Sequence, residues 1–149
     1  MSQLRDKENG CEWDKEQTFQ SIAPHTIEEA YEVVDAINRS NIPDLKEELG
    51  DLLLQVVFLS QIASEDNLFN FNDVVQTITK KLIRRHPYVF SEKRDHSSEE
   101  QMDQWEEIKQ EERELKKQSG ILDGIAQNLP ALKRSQKIQK RAAKVGFDW

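Results

Sequence analysis

The sequence holds few of the residues that cross-link a chain or break its helices. One cysteine, Cys11, occurs among 149 residues, which excludes an internal disulfide and a cysteine-based zinc cluster and is typical of a reducing cytoplasm. Five glycines and four prolines exclude collagen-like and low-complexity chains. The longest nearly apolar run, residues 52–63, is shorter than the roughly 20 residues of a membrane helix. We therefore expect a cytoplasmic protein without a membrane segment and, because no apolar stretch follows Met1, without a secretory signal.

Familiar phosphate and hydrolase motifs are also lacking. No glycine lies in a GxxxxGK[ST] phosphate loop, and neither HExxH nor GxSxG occurs. Positive charge is in deficit, with 21 Lys+Arg against 28 Asp+Glu, and the imbalance is uneven: residues 1–79 carry 16 acids and five bases, whereas residues 80–149 carry 12 acids and 16 bases. Solvated helix faces vary in charge by chance, but this division also suits a protein that handles both a cation and an anion, such as a metal-bound polyphosphate.

Apolar residues recur at helical spacing along most of the chain, which predicts an all-α protein. A short helix should end before Pro24, and a capping box of Thr26 and Glu29 should begin the next, which runs to residues 39–41. Further helices are expected over residues 43–64, 70–85, 97–118 and 130–144. The second helix carries an apolar stripe that we expect to face inward: Ile27, Ala30, Tyr31, Val34 and Ile37.

The third predicted helix is apolar on every side, since nine of the twelve residues in 52–63 are apolar. A small bundle covers such a helix poorly, so we expect a second copy of the chain to complete it, in a homodimer or larger homo-oligomer. Sequence composition shows no linker or repeat. We expect one domain over residues 1–149, with a core at about 12–118 and a basic helical tail at about 121–149.

Two predicted helices carry acids at the same spacing. Glu29 and Glu32 lie three residues apart on one, and Glu48 and Asp51 on the next, so each pair shares a helix face. One such pair is common on a solvated helix, but Asp51 directly precedes the apolar run, where a bare carboxylate would be costly. Four carboxylates facing one another need a cation, and oxygen ligands suit Mg²⁺ or Mn²⁺ better than zinc or copper.

Four segments together carry a family resemblance: Cys11-Glu-Trp13-Asp14-Lys-Glu-Gln17-Thr18, Glu28-Glu29-x-x-Glu32, Glu47-Glu48-Leu49-Gly50-Asp51 and Arg84-Arg85-His86-Pro87. They resemble the MazG family of nucleoside triphosphate pyrophosphohydrolases over essentially the whole chain, although Glu12 stands where the family has proline. The resemblance implies a four-helix-bundle core of the all-α pyrophosphatase type that dimerises. It also implies Mg²⁺-dependent cleavage of a nucleoside triphosphate into monophosphate and pyrophosphate. Many relatives carry two copies of the domain, and this chain looks like the N-terminal copy.

The resemblance also assigns roles to residues. Glu29, Glu32, Glu48 and Asp51 match the metal ligands, with Mn²⁺ a possible substitute for Mg²⁺, and the acids beside them, Glu28 and Glu47, are candidates for the general base. The residues expected to contact substrate are Trp13, Asp14, Lys81, Arg84, Arg85, Trp105 and Lys109. For the basic residues near Arg85, a favourable interaction with the helix dipole is an alternative reason for their position. For Trp13, core packing is the alternative, and for Trp105, which has few apolar neighbours on its helix, a protein interface is the alternative to base stacking.

Two other functions stay open at this point. The chain could be a non-catalytic copy that dimerises and binds nucleotide. Its basic tail, residues 133–144, could contact nucleic acid, although the acidic body opposes this. We expect nucleoside triphosphate substrates and neither a membrane nor a nucleic-acid partner.

Overall fold

The structure, a computed structural model, describes residues 1–90, 97–115 and 120–147. The described residues form helices and turns without a β-strand, which confirms the all-α class. The helices are α1 Glu12–Glu16, α2 Phe19–Asn38, α3 Ile42–Glu65, α4 Phe71–Arg85, α5 Pro87–Phe90, α6 Ser98–Leu115 and α7 Ala131–Ala143. The chain divides into two compact units, Met1–Lys81 and Leu82–Trp149. The single-domain partition, with its core and tail, stays a prediction.

The start of α2 differs from the predicted start. The Thr18 hydroxyl accepts a hydrogen bond from the Ser21 N–H at 3.2 Å, and the Ser21 hydroxyl accepts one from the Thr18 N–H at 2.9 Å. This reciprocal capping box begins the helix upstream of Pro24. The proline removes one backbone hydrogen bond near the N-terminus of the helix but does not end the helix. The predicted capping box at Thr26 is therefore wrong; Thr26 instead donates to the Ile22 carbonyl at 3.4 Å.

Helices α2 and α3 form a hairpin. Ser40 adopts a left-handed conformation (φ 54°) that allows a tight connection, and the Asn41 side chain caps α3 by accepting from the Asp44 N–H at 3.4 Å. Because so short a loop joins two helices that pack on each other, they run antiparallel. Their buried apolar cluster consists of Ile22, Phe58 and Ile62, with Met1, Phe19 and Leu59 packed against it.

The apolar stripe predicted on α2 does not face inward in this chain. Four of its five side chains are more than half exposed, namely Ile27, Tyr31, Val34 and Ile37, and Ala30 is exposed as well. On α3, Leu53 is also more than half exposed, and Leu49 is 50% exposed. The face of α2 that packs against α3 contains Ile22, Glu29 and Ala36. The prediction is wrong because helical spacing reveals an apolar face but not which neighbour covers it.

In the second unit, α6 begins at its predicted capping box. The Ser97 N–H donates to Glu100 Oε2 at 2.8 Å, and the Glu100 N–H donates to Ser97 Oγ at 3.2 Å. The predicted end of this helix, near residue 118, lies outside the described residues. The single turn α5 was not expected from the sequence, whereas α7 begins one residue after Pro130, close to its predicted start.

Candidate functional site

Three carboxylates meet where the two helices of the hairpin face each other. Glu29 on α2 and Glu48 and Asp51 on α3 each place one carboxylate oxygen within 4.8 Å of the others. Residues 48 and 51 share a face of α3 because they are three apart, and Glu29 lies on the face of α2 that packs against it. The hairpin thus brings together three of the four residues predicted as metal ligands.

The fourth predicted ligand, Glu32, adds its charge to the same place. The pKa of Glu29 is raised, first by loss of solvation and then by the charges of Glu32 and Asp51 and a hydrogen bond with Glu32. The pKa of Glu48 is also raised, again first by loss of solvation and then by Glu32 and Asp51. Burial and neighbouring negative charge therefore disfavour the ionised forms of Glu29 and Glu48, and a bound cation would relieve this.

A buried amide lies beside these carboxylates. Gln55 is 7% exposed and donates from Nε2 to Glu29 Oε1 at 3.5 Å. Its Oε1 is buried and finds no hydrogen-bond partner within the described part of the chain, an arrangement that costs about 1–3 kcal/mol. From the sequence, Gln55 is only an interruption of the apolar run; its position four residues after Asp51, on the same helix face, is the signal that could have identified it.

The donors present fit a hard divalent cation. Glu29, Glu48 and Asp51 offer carboxylate oxygens, Glu32 adds negative charge, and the unpartnered Gln55 Oε1 is a further oxygen nearby. Mg²⁺ and Mn²⁺ take oxygen ligands, whereas zinc and copper sites draw on nitrogen and sulfur. We call these five residues the acidic cluster; it is able to hold a metal ion.

The two acids predicted as proton acceptors lie next to the acidic cluster. Glu28 has a carboxylate oxygen 3.5 Å from His25 Nδ1 and a side chain that is 65% exposed. Glu47 is exposed and contributes to the raised pKa of Glu48. Both side chains therefore reach solvent within one residue of a predicted ligand.

Trp13 and Asp14, predicted to contact substrate, lie on α1. Trp13 is 53% exposed and packs edge-to-face against Phe58 and His25, with ring centroids 6.3 Å apart in each pair. Asp14 is half-buried, and its main-chain carbonyl accepts a hydrogen bond from Arg5. Trp13 is thus anchored on the buried cluster while about half of its surface stays open, so it both packs and remains able to contact a ligand.

Arg5, which is not among the predicted residues, fixes this segment. Its guanidinium donates to both carboxylate oxygens of Glu65 at 2.7–3.1 Å and to the main-chain carbonyls of Asp14 and Gln17. It also lies 5.5 Å from the ring centroid of Phe58. Arg5 therefore ties the end of α1 to the end of α3.

In the second unit, two predicted phosphate-binding arginines share one carboxylate. Arg84 and Arg85 both donate to Glu112 on α6, the latter through Nη2 at 2.5 Å from Oε2. The hydrogen bond from Arg85, and then that from Arg84, lowers the pKa of Glu112 to about 2. Glu112 therefore stays ionised at neutral pH and holds two neighbouring guanidinium groups in place.

Trp105 and Lys109, the remaining predicted nucleotide contacts on α6, lie beside these arginines. The Lys109 Nζ is 4.2 Å from the Trp105 ring centroid, and the Arg85 guanidinium carbon is 5.7 Å from it. Cations over an indole face are attracted by its electrons. The second unit thus assembles Arg84, Arg85, Trp105 and Lys109, whereas Lys81 belongs to the first unit, half-buried on α4.

Comparison with known proteins finds relatives along the entire chain. The profile of the "MazG nucleotide pyrophosphohydrolase domain" matches residues 17–90. All 149 residues align at 58% identity with the nucleoside triphosphate pyrophosphohydrolase of Escherichia coli (strain K12). They align at 49% identity with the "Nucleoside triphosphate pyrophosphohydrolase/pyrophosphatase MazG" of Thermotoga maritima. The chain belongs to the MazG family.

The fold of this MazG chain has a counterpart among solved structures. The crystal structure of a mazG-related protein from Thermotoga maritima matches it with a TM-score of 0.60 and 24% identity, over 72% of this chain and 93% of that one. This likeness concerns the fold alone. The chain spans 57% of the length of the Escherichia coli relative and 56% of the Thermotoga enzyme. None of the helices described here is long and apolar enough to cross a membrane.

Proposed function

We propose that this MazG chain hydrolyses nucleoside triphosphates to nucleoside monophosphate and pyrophosphate, with Mg²⁺ as cofactor, and so clears or limits nucleotides in the cytoplasm. The observation that carries the proposal is the acidic cluster, where three carboxylates converge within 4.8 Å. The names of the Escherichia coli and Thermotoga relatives support this reaction. Mn²⁺, which takes the same oxygen donors, could replace Mg²⁺.

The acidic cluster would hold the metal through Glu29, Glu48 and Asp51, with Glu32 next to them. Mg²⁺ bound there would supply neutralisation of phosphate charge and a more acidic water. Gln55 would keep Glu29 oriented, because its amide already donates to that carboxylate. No covalent intermediate with the protein is needed, since water is the nucleophile.

Glu28 and Glu47 would provide the proton acceptor. One of them takes a proton from the water whose oxygen bonds to the α-phosphorus, while the bond from the α-phosphorus to the bridging oxygen breaks and pyrophosphate leaves. Both acids reach solvent beside the cluster.

Substrate binding would draw on cations and aromatic faces. Arg84, Arg85 and Lys109 suit phosphate oxygens, since arginine offers a planar fork and lysine a point charge, and Lys81 would add a further charge. Trp105 would stack on the base, as indole faces do. Trp13, half open on α1 with Asp14 beside it, is the second candidate for the base.

The test is pyrophosphate release from each common ribo- and deoxyribonucleoside triphosphate, with Mg²⁺ and with chelator. Release should require the metal, and Asp51→Asn and Glu32→Gln should each abolish it without changing helicity in circular dichroism. Asp66→Asn removes an exposed carboxylate at the end of the same helix as Asp51 and should keep the wild-type rate. Wild-type rates in either cluster variant would refute the metal-site assignment.

The alternative left open by the sequence is a non-catalytic copy that binds nucleotide, and the match of all 149 residues to the Escherichia coli nucleoside triphosphate pyrophosphohydrolase argues against it. The complete set of cluster carboxylates favours the hydrolase over this alternative. Absence of release from every triphosphate, with nucleotide binding still detected by calorimetry, would refute the hydrolase and establish the alternative.

We also infer a homodimer from the apolar residues that the α2–α3 hairpin leaves uncovered. Tyr31 and Leu53 are 58% and 54% exposed, and two hairpins from two copies would make a four-helix bundle. Light scattering should give twice the chain mass of 17.4 kDa. Tyr31→Arg should produce monomers, whereas Leu132→Arg, at a leucine 83% exposed on α7, should not. A stable wild-type monomer would refute the inference.

A further inference from the structure

Helices α6 and α7 line a common cavity with charged faces. Besides Gly120, Ile121 and Val145, eight charged or amide side chains line it: Glu106, Lys109, Gln110 and Arg113 on α6, and Lys137, Lys140, Arg141 and the C-cap Lys144 of α7. On each helix their spacing is i, i+3, i+4, i+7, which is one face of an α-helix. The cavity has a volume of about 390 Å³ and lies wholly in the second unit. Six of these eight side chains are cations, and one is a carboxylate.

The cations of the α7 segment are concentrated on the side that lines the cavity. Like charges one turn apart oppose helix formation. Here Lys137, Lys140 and Arg141 on α7, together with its C-cap Lys144, all line the cavity. Lys137, Lys140 and Lys144 are exposed to solvent, so their ammonium groups are accessible, and an anion bound between them would relieve their mutual repulsion.

The single carboxylate pairs with two of the cations, although it carries only one negative charge. Glu106 accepts from Lys109 at 2.8 Å and also pairs with Lys144. These hydrogen bonds, that of Lys109 first, lower the pKa of Glu106 to about 2. Glu106 is therefore fully ionised at neutral pH and has no further charge to offer the remaining cations.

The other four cations are not neutralised by the cavity itself. Arg141 donates to the main-chain carbonyls of residues 121 and 123, which carry no net charge. Arg113 donates to the Gln110 amide oxygen at 3.2 Å. Within the ranges that the structure describes, Lys137 and Lys140 form no ion pair. The cavity therefore holds an excess of positive charge that an anion would relieve.

We propose that the α6–α7 cavity binds a small molecule carrying two or more phosphate groups. Its volume falls in the range of about 300–1,000 Å³ that small-ligand sites occupy, and lysine and arginine are the side chains that bind phosphate oxygens. A cavity between two helices suits a compact polyanion better than a nucleic acid, whose backbone tracks an extended basic surface. The site shares Lys109 with the residues proposed above to bind substrate, but it goes beyond the proposed hydrolysis because its other cations lie outside that set and it requires neither the acidic cluster nor a metal.

The test uses inorganic pyrophosphate as the probe, with the 149-residue chain in chelator and calorimetry as readout. Lys137→Gln combined with Lys140→Gln should weaken binding by at least about tenfold, because charge-assisted contacts are lost. Lys133→Gln combined with Arg134→Gln is the matched control: it removes the same charge from the same helix but outside the cavity, and should change binding by less than about twofold. Asp51→Asn should bind as wild type even if hydrolysis is abolished, which separates this proposal from the proposed function.

Thermal melting gives a second readout: pyrophosphate should raise the Tm of the wild type and of the control pair but not of the cavity pair. Equal weakening by the two pairs would overturn the proposal, because it would show attraction to the whole basic helix. Absence of pyrophosphate binding to the wild type at millimolar concentration would also overturn it. A third outcome would overturn it as well: a single-stranded 20-nucleotide DNA that binds more tightly than pyrophosphate and whose affinity falls equally in the two double variants, since α7 would then be a nucleic-acid-binding surface.

Discussion

Arg5→Ala should destabilise the first unit by about 3 kcal/mol. The Arg5 side chain is 7% exposed, and its loss removes every contact to Glu65 as well as those to the carbonyls of Asp14 and Gln17. Breaking a buried ion pair costs about 3–5 kcal/mol. The lower end applies because Glu65 is 34% exposed, so water can rehydrate it once the arginine is gone.

Melting followed by circular dichroism tests this magnitude. For a chain of this length about 1 kcal/mol corresponds to 2–4 °C, so Arg5→Ala should lower Tm by about 6–12 °C. Arg5→Lys keeps the positive charge but loses the planar guanidinium, so its Tm should lie between those of the wild type and Arg5→Ala. Lys7→Ala removes the same charge from an exposed position in the same segment and should change Tm little. An Arg5→Ala loss below about 2 °C, or one equal to that of Lys7→Ala, would refute the reasoning.

The pH dependence of the decrease in Tm caused by Arg5→Ala distinguishes the contribution of the ion pair from that of packing. Hydrogen bonds from Arg5 lower the pKa of Glu65 below its ordinary value of 4.5. A carboxyl whose pKa is lowered on folding contributes fully above its unfolded pKa and loses its contribution as pH falls through the folded pKa. The Tm difference between wild type and Arg5→Ala should therefore shrink as the pH is lowered below 4.5. A difference that stays constant in acid would assign the effect to packing on Phe58.

Two further substitutions test the two units separately. Gln55→Leu should raise the Tm in chelator by about 2–4 °C, because it removes an unpartnered buried oxygen that costs about 1 kcal/mol of stability. The same substitution should reduce the increase in Tm that Mg²⁺ causes. If that increase is unchanged, Gln55 is not part of the metal site. Glu112→Gln should lower Tm at pH 7, whereas Glu111→Gln, at an exposed position, is the control. Because the pKa of Glu112 in the folded protein is about 2, the difference in Tm between wild type and Glu112→Gln should disappear as the pH falls from about 4.5 to 2. A loss that persists at pH 2 would show that charge is not its cause.

Local signals predicted much of the helical framework. Pro43 marks the start of α3, because proline is tolerated in the first turn of a helix. The Ser97 and Glu100 box marks the start of α6, because it satisfies backbone groups within a few residues. The acid spacing on α3 likewise required only helix geometry to place Glu48 and Asp51 on one face. What a few neighbouring residues determine could therefore be predicted from the sequence.

Residues that act through distant partners could not be predicted in this way. Arg5 meets Glu65 sixty positions along the chain, and the Arg84–Glu112 pair joins two helices across a separation of 28. In the sequence, Gln55 only interrupts an apolar run, and its hydrogen bond to Glu29 is evident only from the structure. Such contacts depend on how the helices pack, which spacing along one helix does not specify.

The α2 face that was wrongly predicted shows how the acidic cluster and assembly are linked. Glu29 lies on the packed side of α2, so the middle of the α2–α3 contact is polar and its apolar cluster is confined to the end with Ile22. Meanwhile Ile27 and Tyr31 stay more than half exposed on the outer side, and full burial of such side chains contributes about 1.5–3 kcal/mol each. The acidic cluster thus removes apolar contacts from inside the hairpin, and a second copy covering its outer side would offset that loss.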